Sequence, residues 1–148
     1  MSLPSVRRPG VVLPVRPDPR GIDGPTPAQA RGPRWRRVAP AHYVPVDTDS
    51  SGVDQRIVEA MAGMPDGAAV TGWASLGWRR ATWFHGLAAD GTRLDVPVAV
   101  DRVRGVRRRP GVELSEDWLF DGDIESVDGL EVTLAERSVS YEVCRAGR

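Results

Sequence analysis

The sequence lacks the residues on which several classes of protein depend. A single cysteine, Cys144, excludes an internal disulfide, and only two histidines, His42 and His85, accompany it, which disfavours a structural zinc site. No apolar run approaches the roughly 20 residues needed to cross a bilayer, and the N-terminus has no signal-peptide core. These absences predict a cytoplasmic protein without a metal, in which Cys144 is a small buried side chain on a helix.

The motifs of common enzyme classes are also missing. The phosphate-binding pattern G-x-x-x-x-G-K and the dinucleotide-binding pattern G-x-G-x-x-G are absent, as are H-E-x-x-H, G-x-S-x-G and a paired C-x-x-C. A predicted hairpin and two helices separate His42 from His85, which favours surface or helix-end positions for both over a general base. The sequence therefore predicts a protein that is not an enzyme and needs no cofactor.

Basic residues are present only as arginine, since the chain contains no lysine, and their distribution is uneven. The net charge of the whole chain is zero, but residues 1–46 carry +6 and residues 47–148 carry −6. Clustered positive charge is typical of a surface that contacts nucleic acid. The N-terminal part is thus the candidate for binding an acidic polymer.

Proline spacing and apolar periodicity divide the chain into three parts. Residues 1–25 contain six prolines and predict an extended arm that is held weakly, mainly through the apolar stretch 11–15. Residues 26–47 predict a short helix that begins at Thr26-Pro27 and a basic β-hairpin over 34–46, a remnant of a wing. Residues 48–148 predict the core domain. The expected fold class is α+β, with a small mixed or antiparallel sheet and three main helices.

Aromatic residues concentrate between Gly67 and Gly86, a stretch that holds three of the five tryptophans. The pattern predicts a short buried strand at 68–70, followed by a long helix whose first turn is capped by the hydroxyl of Thr71. We expect this helix to organise the core and Arg80 to lie along it with its stem over apolar neighbours. Its buried face is predicted to contain Trp73, Leu76, Trp83, Phe84 and Leu87.

Four further elements complete the predicted core domain. A capping box at 51–54 opens a helix that ends near Gly63, and a half-buried strand follows at 94–103, in which Pro97 indicates either an edge position or a bulge. The pair 128–129 predicts a hairpin turn, and a capping box at 133–136 opens the last helix. The side chains expected to face the core from these two helices are Ile57, Val58, Met61, Met64, Leu134, Val139, Tyr141 and Val143.

Two arginine clusters are candidate nucleic-acid-binding sites. One lies on the hairpin, either as a wing that contacts nucleic acid or as an edge whose charges prevent pairing with other strands. The other lies in the loop after the strand at 94–103, either as a phosphate-binding patch or as a solvated turn facing residues 113–136, which hold nine acids and no base. The candidate residues are Arg34, Arg36, Arg37, Arg102, Arg104, Arg107, Arg108 and Arg109.

Three stretches, taken in order, resemble one known family. They are GPTPAQARGPRWRRVAPAHYVPVD (24–47), PDGAAVTGWASLGWRRATWFHGLAADG (65–91) and VDGLEVTLAERSVSYEVCRAG (127–147). In actinobacterial antitoxins of the AbiEi type, a winged-helix segment similarly ends in a WRR strand and its Y-V-P partner. A G-A-V-x-G-W-A-A-L helix follows, and a V-x-G-x-x-V-T strand-to-helix step closes the shared region. The order of the three stretches is more specific than any one of them.

The resemblance implies a non-enzymatic regulator of antitoxin type, which associates with DNA and controls transcription in a toxin–antitoxin system. Residues 1–25 depart from the family pattern, because so many prolines exclude the first helices of a winged helix-turn-helix. Longer relatives carry a domain similar to very-short-patch-repair endonucleases. That domain has no counterpart in this sequence, so no catalytic residue is carried over.

A second hypothesis is a protein-interaction module of a toxin–antitoxin, prophage or phage-defence system. Its partner would be a cognate toxin or a defence component, and its interaction surface would be the acidic segment 113–136. DNA and protein therefore both stay open as partners, as does self-association through the proline-rich arm. A membrane is not expected as a partner.

Overall fold

Four helices and seven strands make up the part of the chain, residues 3–101 and 105–148, that the computed structural model describes. The predicted α+β class is confirmed. The helices are α1 (Pro27–Ala30), α2 (Val53–Met61), α3 (Gly72–Trp78) and α4 (Ala135–Ala146). The strands are β1 (Trp35–Ala39), β2 (His42–Pro45), β3 (Ala69–Val70), β4 (Val96–Ala99), β5 (Val112–Ser115), β6 (Ile124–Val127) and β7 (Leu130–Thr133).

The strands form a separate hairpin and one mixed sheet. β1 and β2 pair as the predicted antiparallel hairpin, and the five-stranded sheet has the order β5-β4-β3-β7-β6. β3 is antiparallel to β4 and parallel to β7, while β5 runs parallel to β4 and β6 antiparallel to β7. Among the fully buried side chains, the largest come from α2, α3 and the inner strands, so the core lies against the middle of this sheet.

β4 was predicted as a half-buried strand with either an edge position or a bulge at Pro97, and the half-burial and the edge position were wrong. All four residues of β4 are buried, and the strand lies between β5 and β3. The Pro97 carbonyl accepts the Thr71 N–H at 3.0 Å. Proline has no N–H to donate to the Thr71 carbonyl in return, and that carbonyl does not need one. The Thr71 carbonyl instead accepts the Ser75 N–H as the first bond of α3. Proline is therefore tolerated here because the strand opposite it turns into a helix.

The predicted hairpin turn between β6 and β7 is confirmed and also receives the N-terminal arm. Asp128 and Gly129 both have positive φ, +49° and +81°, the geometry of a two-residue type I′ turn. A side chain at Gly129 would have its Cβ 1.8 Å from the Ser5 carbonyl oxygen. Position 129 thus requires glycine for two reasons, its backbone conformation and the close passage of the arm.

The long aromatic helix predicted from Trp73 to Leu87 is a seven-residue helix. Trp73 is buried as expected, but α3 ends at Trp78, and Arg80 lies in the left-handed region at φ +73°. The chain then folds back, and the Phe84 carbonyl lies against Gly77, where a Cβ would approach it to 2.4 Å. As a result Trp83 is 89 % exposed and Arg80 is exposed rather than lying over the core.

The helix N-termini are capped differently from the predicted pattern. Thr71 is the residue before α3 but its hydroxyl does not cap it, and the Glu142 carboxylate accepts the Trp73 N–H at 2.8 Å instead. The residues before α2 and α4 are Gly52 and Leu134, and neither makes a side-chain cap. The local capping boxes predicted at 51–54 and 133–136 therefore do not form. The α1 cap, Thr26, does form a capping box with Gln29.

Buried hydroxyl groups near the N-terminus of α3 connect β7 to α3 and α4. The Thr133 hydroxyl donates to the Thr71 hydroxyl at 2.9 Å and lies 2.8 Å from the Ser138 hydroxyl. Ser75 and Arg79 donate to the Thr133 carbonyl at 3.1 and 2.9 Å. Thr133 was predicted to cap α4, but these partners show that it joins β7 to α3 and α4 together.

The outer face of α4 is less buried than the apolar pattern predicted. Tyr141 is half-buried, but Val139 and Val143 are exposed, and Ser138 is the one fully buried residue of the helix. Cys144 is also exposed, which corrects its assignment as a buried side chain. α4 packs mainly against α3 and leaves its other faces open to solvent.

The N-terminal arm is tied to the core, in contrast to the weak attachment predicted from its prolines. Leu3, Val6 and Arg8 are buried. The Arg8 guanidinium forms ion pairs with Asp54 at 3.1 Å and Asp128 at 2.6 Å. It also donates to the Trp78 carbonyl at 2.7 Å and stacks 3.6 Å from the centre of that indole ring. One side chain of the arm thus contacts α2, α3 and the β6–β7 turn.

Main-chain contacts continue along the arm. The Gln55 side-chain amide accepts the Val12 N–H and donates to the Val12 carbonyl, each at 2.8 Å, which imitates the pairing of a neighbouring strand. Farther on, Val15 and Tyr43 exchange two backbone hydrogen bonds of 2.9 Å. The arm therefore extends across α2 and joins the edge of β2.

No helix within the described ranges is long and apolar enough to cross a membrane.

We predict that Arg8→Ala lowers the free energy of unfolding by about 3 kcal/mol. The value lies at the lower end expected for removing one partner of a buried ion pair, because Asp54 and Asp128 keep partial access to water. Arg7→Ala is the matched control, since Arg7 is exposed beside it and surface substitutions have small effects. Urea unfolding of both variants measures the difference, and equal stabilities would show that the arm is not anchored through Arg8.

Candidate functional site

Two of the three candidate arginines on the hairpin are open to solvent. Arg34 and Arg37 are exposed, although the Arg37 Nε donates to the Ala39 carbonyl at 3.3 Å. Arg36 is instead held by the Glu59 carboxylate, with its two terminal nitrogens 3.0 and 3.3 Å from the two carboxylate oxygens. Such a bidentate pair leaves little of this guanidinium for a phosphate.

In the loop cluster, the guanidinium of Arg109 is likewise bound within the protein. Its guanidinium donates to three carbonyls at the end of α2, among them those of Glu59 at 3.2 Å and Ala62 at 2.8 Å. A cationic side chain stabilises the free carbonyls of a helix C-terminus. Burial among these groups lowers the pKa of Arg109 below its ordinary value. Arg107 and Arg108 are exposed, and Arg102 and Arg104 lie outside the described residues.

The structure thus brings one arginine from each predicted cluster to the same residue of α2. Arg36 binds the Glu59 side chain and Arg109 binds the Glu59 carbonyl. Both contacts hold the hairpin and the loop against the last turn of α2. Of the candidate arginines that the structure describes, those that remain accessible for a ligand are Arg34, Arg37, Arg107 and Arg108.

A second surface, which we call the aromatic cleft, lies between α4 and the chain that leaves β5. Its volume is about 540 Å³, and its walls are residues 113–118 with Phe120 on one side and one face of α4 on the other. Trp118 and Phe120 are 66 % and 65 % exposed, and their ring centres lie 6.2 Å apart at an angle of 51°. Two large rings are therefore held side by side at the surface instead of entering the core.

Arg137 of α4 fixes the segment that carries these rings. Its guanidinium donates to the Trp118 carbonyl and lies 3.7 Å from the Asp123 carboxylate. The same carboxylate accepts the Phe120 N–H at 2.8 Å. Because the backbone of both aromatic residues is held this way, their side chains are positioned without being buried.

Tyr141 forms part of the floor of the cleft together with Glu113 of β5. Burial raises the pKa of Tyr141 above its ordinary value, and the charge of Glu113 and its hydrogen bond with the phenol raise it further. On the neighbouring turn of α4, Arg145 lies 2.6 Å from Glu142. The Glu142 side chain raises the pKa of Arg145. Glu142 thus neutralises Arg145, whereas Arg148, which also borders the cleft, is exposed.

The remaining carboxylates of the cleft are available for a ligand. Glu116 and Asp117 are exposed, and within the described part of the chain neither side chain has an ion-pair partner. They lie in the segment 113–136 that was predicted to be acidic and solvated. These two carboxylates outnumber Arg148, the exposed arginine of the cleft, so the balance of accessible charge at the cleft is negative.

Trp118 and Phe120 were not among the residues predicted to form a site. The structure has no strand between Ser115 and Ile124. The available signal was composition, because two aromatic residues stand in a nine-residue run, 115–123, that contains four acids. Large apolar side chains in a polar segment that connects two strands are more typical of a binding surface than of a core.

Neither histidine belongs to a catalytic arrangement among the described residues. The His42 Nδ1 lies 2.8 Å from the Pro40 carbonyl, and His85 is exposed in the segment after α3. In residues 3–101 and 105–148, no group of three or more His, Cys, Asp and Glu side chains is arranged to hold a metal ion.

Compared with models of protein families, with curated proteins and with solved structures, the chain matches none. The resemblance to AbiEi-type antitoxins therefore stays a prediction.

We predict that Tyr141 makes the stability of the protein fall at alkaline pH. Its pKa is raised above the ordinary value of 10.0, so above about pH 10 the unfolded chain loses the phenolic proton while the folded protein keeps it. Urea unfolding between about pH 9 and 11 should show a smaller loss of stability in Tyr141→Phe than in the parent. No lysine titrates in this range. Parallel curves for the two proteins would contradict the prediction.

Proposed function

We propose that this protein is a non-enzymatic, cytoplasmic protein-interaction module, of the kind that binds a cognate toxin or defence component in a toxin–antitoxin, prophage or phage-defence system. The observation that carries the proposal is the exposed pair Trp118 and Phe120 at the aromatic cleft. Tryptophan is enriched among the residues that dominate binding energy at protein interfaces. The system to which the partner belongs rests on the resemblance of the sequence alone.

The contacts that hold the segment of Trp118 and Phe120 support the view that these exposed rings form an interface. Its backbone is fixed by Arg137 and Asp123, so the rings need little further ordering when a partner covers them. Preorganised side chains lose less entropy on binding. The acidic groups around them, Glu116 and Asp117, would form the polar rim of such an interface.

We predict that the double variant Trp118→Ala/Phe120→Ala loses the partner without losing stability. Both rings are largely exposed, so their removal leaves the core intact, whereas truncation of an interface hot spot costs about 2 kcal/mol or more in binding. The tagged protein, co-expressed with the products of its neighbouring genes, is purified and the retained proteins are identified. A partner bound by the parent should be absent from the double variant.

Trp83→Ala is the matched control for this experiment. Trp83 is 89 % exposed but does not border the aromatic cleft, so its removal takes away a comparable surface ring elsewhere. The partner should be retained by this variant. A set of retained proteins that is the same for the parent and the double variant would refute the proposed role of the cleft.

Association with nucleic acid is a second candidate function, favoured by the positive charge of residues 1–46. The groups that support it are Arg34 and Arg37 on the hairpin and Arg107 and Arg108 in the loop, all of them exposed. Arg36 and Arg109 contribute less, since Glu59 and the end of α2 already bind them. The regulator of antitoxin type that the resemblance implies would use this basic surface on DNA.

We predict that Arg34→Ala/Arg37→Ala flattens the salt dependence of DNA binding by up to about 1.8 in the logarithmic slope, because each lost phosphate contact removes about 0.9. Arg36 is left unchanged, since its loss would also break the ion pair with Glu59. Electrophoretic shift of duplex DNA, including the promoter of its own gene, measures binding over a salt series.

Arg80→Ala/Arg93→Ala is the control for this measurement, as it removes two exposed positive charges outside the hairpin. Its salt slope should equal that of the parent. Absence of any shift at about 50 mM salt would exclude the second candidate, because even non-specific DNA binders associate under these conditions.

A further inference from the structure

The strand that borders the aromatic cleft, β5, forms one of the two edges of the sheet. β5 is the terminal strand in the order β5-β4-β3-β7-β6 and is parallel to β4. Val96 donates to the Gly111 carbonyl and Val100 to the Ser115 carbonyl. With this register, the peptide groups of Glu113 and Ser115 point towards β4 and those of Leu114 point away from the sheet.

The main chain of Leu114 is thus available to a ligand at the cleft. Within the described residues, no backbone group pairs with its N–H or its carbonyl. Leu114 borders the cleft, and its side chain also packs against the core. An unpaired strand edge beside an open cleft is the arrangement to which an extended peptide can add as a further strand.

We infer that β5 binds an extended, basic segment of the partner protein by β-strand addition, with an apolar or aromatic side chain of that segment against Trp118 and Phe120. Its cationic side chain would pair with Glu116 and Asp117, which are exposed and without an ion-pair partner within the described residues. The inference rests on the proposed function and specifies the chemistry of the partner at the same cleft.

An extended segment fits the cleft better than a helix does. One wall of the cleft is a strand whose outward N–H and carbonyl groups need partners, and a helix uses its own backbone groups internally. An added strand satisfies the Leu114 groups and directs alternate side chains into the cleft. The backbone would supply affinity and the cleft would select the side chains.

The charges at this edge favour a basic segment and disfavour the other occupants. Residues 113–136 contain nine acids and no base, so nucleic acid would be repelled. A second copy pairing through the same edge would bring Glu113, Glu116 and Asp117 of one copy close to those of the other, and like charges opposite each other are destabilising. On α4, Arg137 and Arg145 are already matched by Asp123 and Glu142, which leaves Arg148 as the one exposed arginine among the described residues that border the cleft.

A display library of random nine-residue peptides is the probe for this inference. Peptides that bind the full chain are selected, and those that also bind the Trp118→Ala/Phe120→Ala variant are removed. The selected peptides should carry arginine or lysine and an aromatic or branched apolar residue at alternating positions. Binding should weaken at least about tenfold in the double variant, as expected for loss of interface hot spots, and less than about twofold in Trp83→Ala.

Two measurements on a synthetic peptide from this selection separate strand addition from contact through side chains alone. Hydrogen exchange of the Leu114 N–H should be fast in the free protein and slow in the complex. Methylation of single peptide nitrogens should weaken binding about tenfold or more at every second position, since each pairing nitrogen removed leaves a carbonyl unsatisfied. The single cysteine, Cys144, borders the cleft and is exposed, so its alkylation should also slow.

The charge requirement is tested with Glu116→Gln/Asp117→Asn, which should weaken a basic peptide and reduce the dependence of its binding on salt. Glu136→Gln is the control, because Glu136 is exposed in the same acidic segment but does not border the cleft. Equal binding by the two variants would overturn the assignment of these carboxylates.

Two results would overturn strand addition and leave the proposed interaction module standing. One is the selection of acidic peptides. The other is a Leu114 N–H that stays unprotected in a complex whose binding depends on Trp118. Failure to select any peptide that depends on the cleft, or a dimer that forms through the cleft, would also overturn strand addition. The proposed function fails by a different result, a partner retained equally by the parent and the double variant in the purification.

Discussion

The buried guanidinium of Arg8 is the interaction on which the arrangement of the other elements depends. It joins the N-terminal arm to Asp54 of α2, to Asp128 in the β6–β7 turn and to the end of α3 at Trp78. These groups are distant in the sequence, and a buried cation has to keep all its partners to remain in place. The arm thus fixes α2, α3 and the β6–β7 turn relative to one another.

A similar use of arginine explains why only part of the basic character of the chain is accessible. Arg36 and Arg109 meet at Glu59, and Arg137 holds the segment that carries Trp118. A guanidinium presents several donors in one plane, so it can bind a carboxylate or several carbonyls at once. In a chain without lysine, some arginines are structural and others are free for a partner, and position in the sequence does not distinguish them.

The two candidate surfaces differ in sign and in chemistry. The hairpin offers exposed guanidinium groups, whereas the aromatic cleft combines rings, carboxylates and the unpaired edge of β5. A protein with both could bind DNA through one and a protein through the other, as the resemblance to antitoxins implies. The cleft carries the proposed function because its rings are costly to expose and are held in place by specific contacts.

The local pattern of the sequence determined the α+β class, the β1–β2 hairpin, α1, the buried face of α2 and the turn at Asp128-Gly129, since turn residues and short-range periodicity act within a few positions. Only the tertiary structure decided that α3 stops at Trp78, that β4 is central and that Glu142 caps α3. It also decided which arginines are buried and that Trp118 and Phe120 face solvent. Most of these outcomes depend on partners tens of residues away, and a spacing along the chain carries no information about which distant group will satisfy a charge, a backbone donor or an aromatic ring.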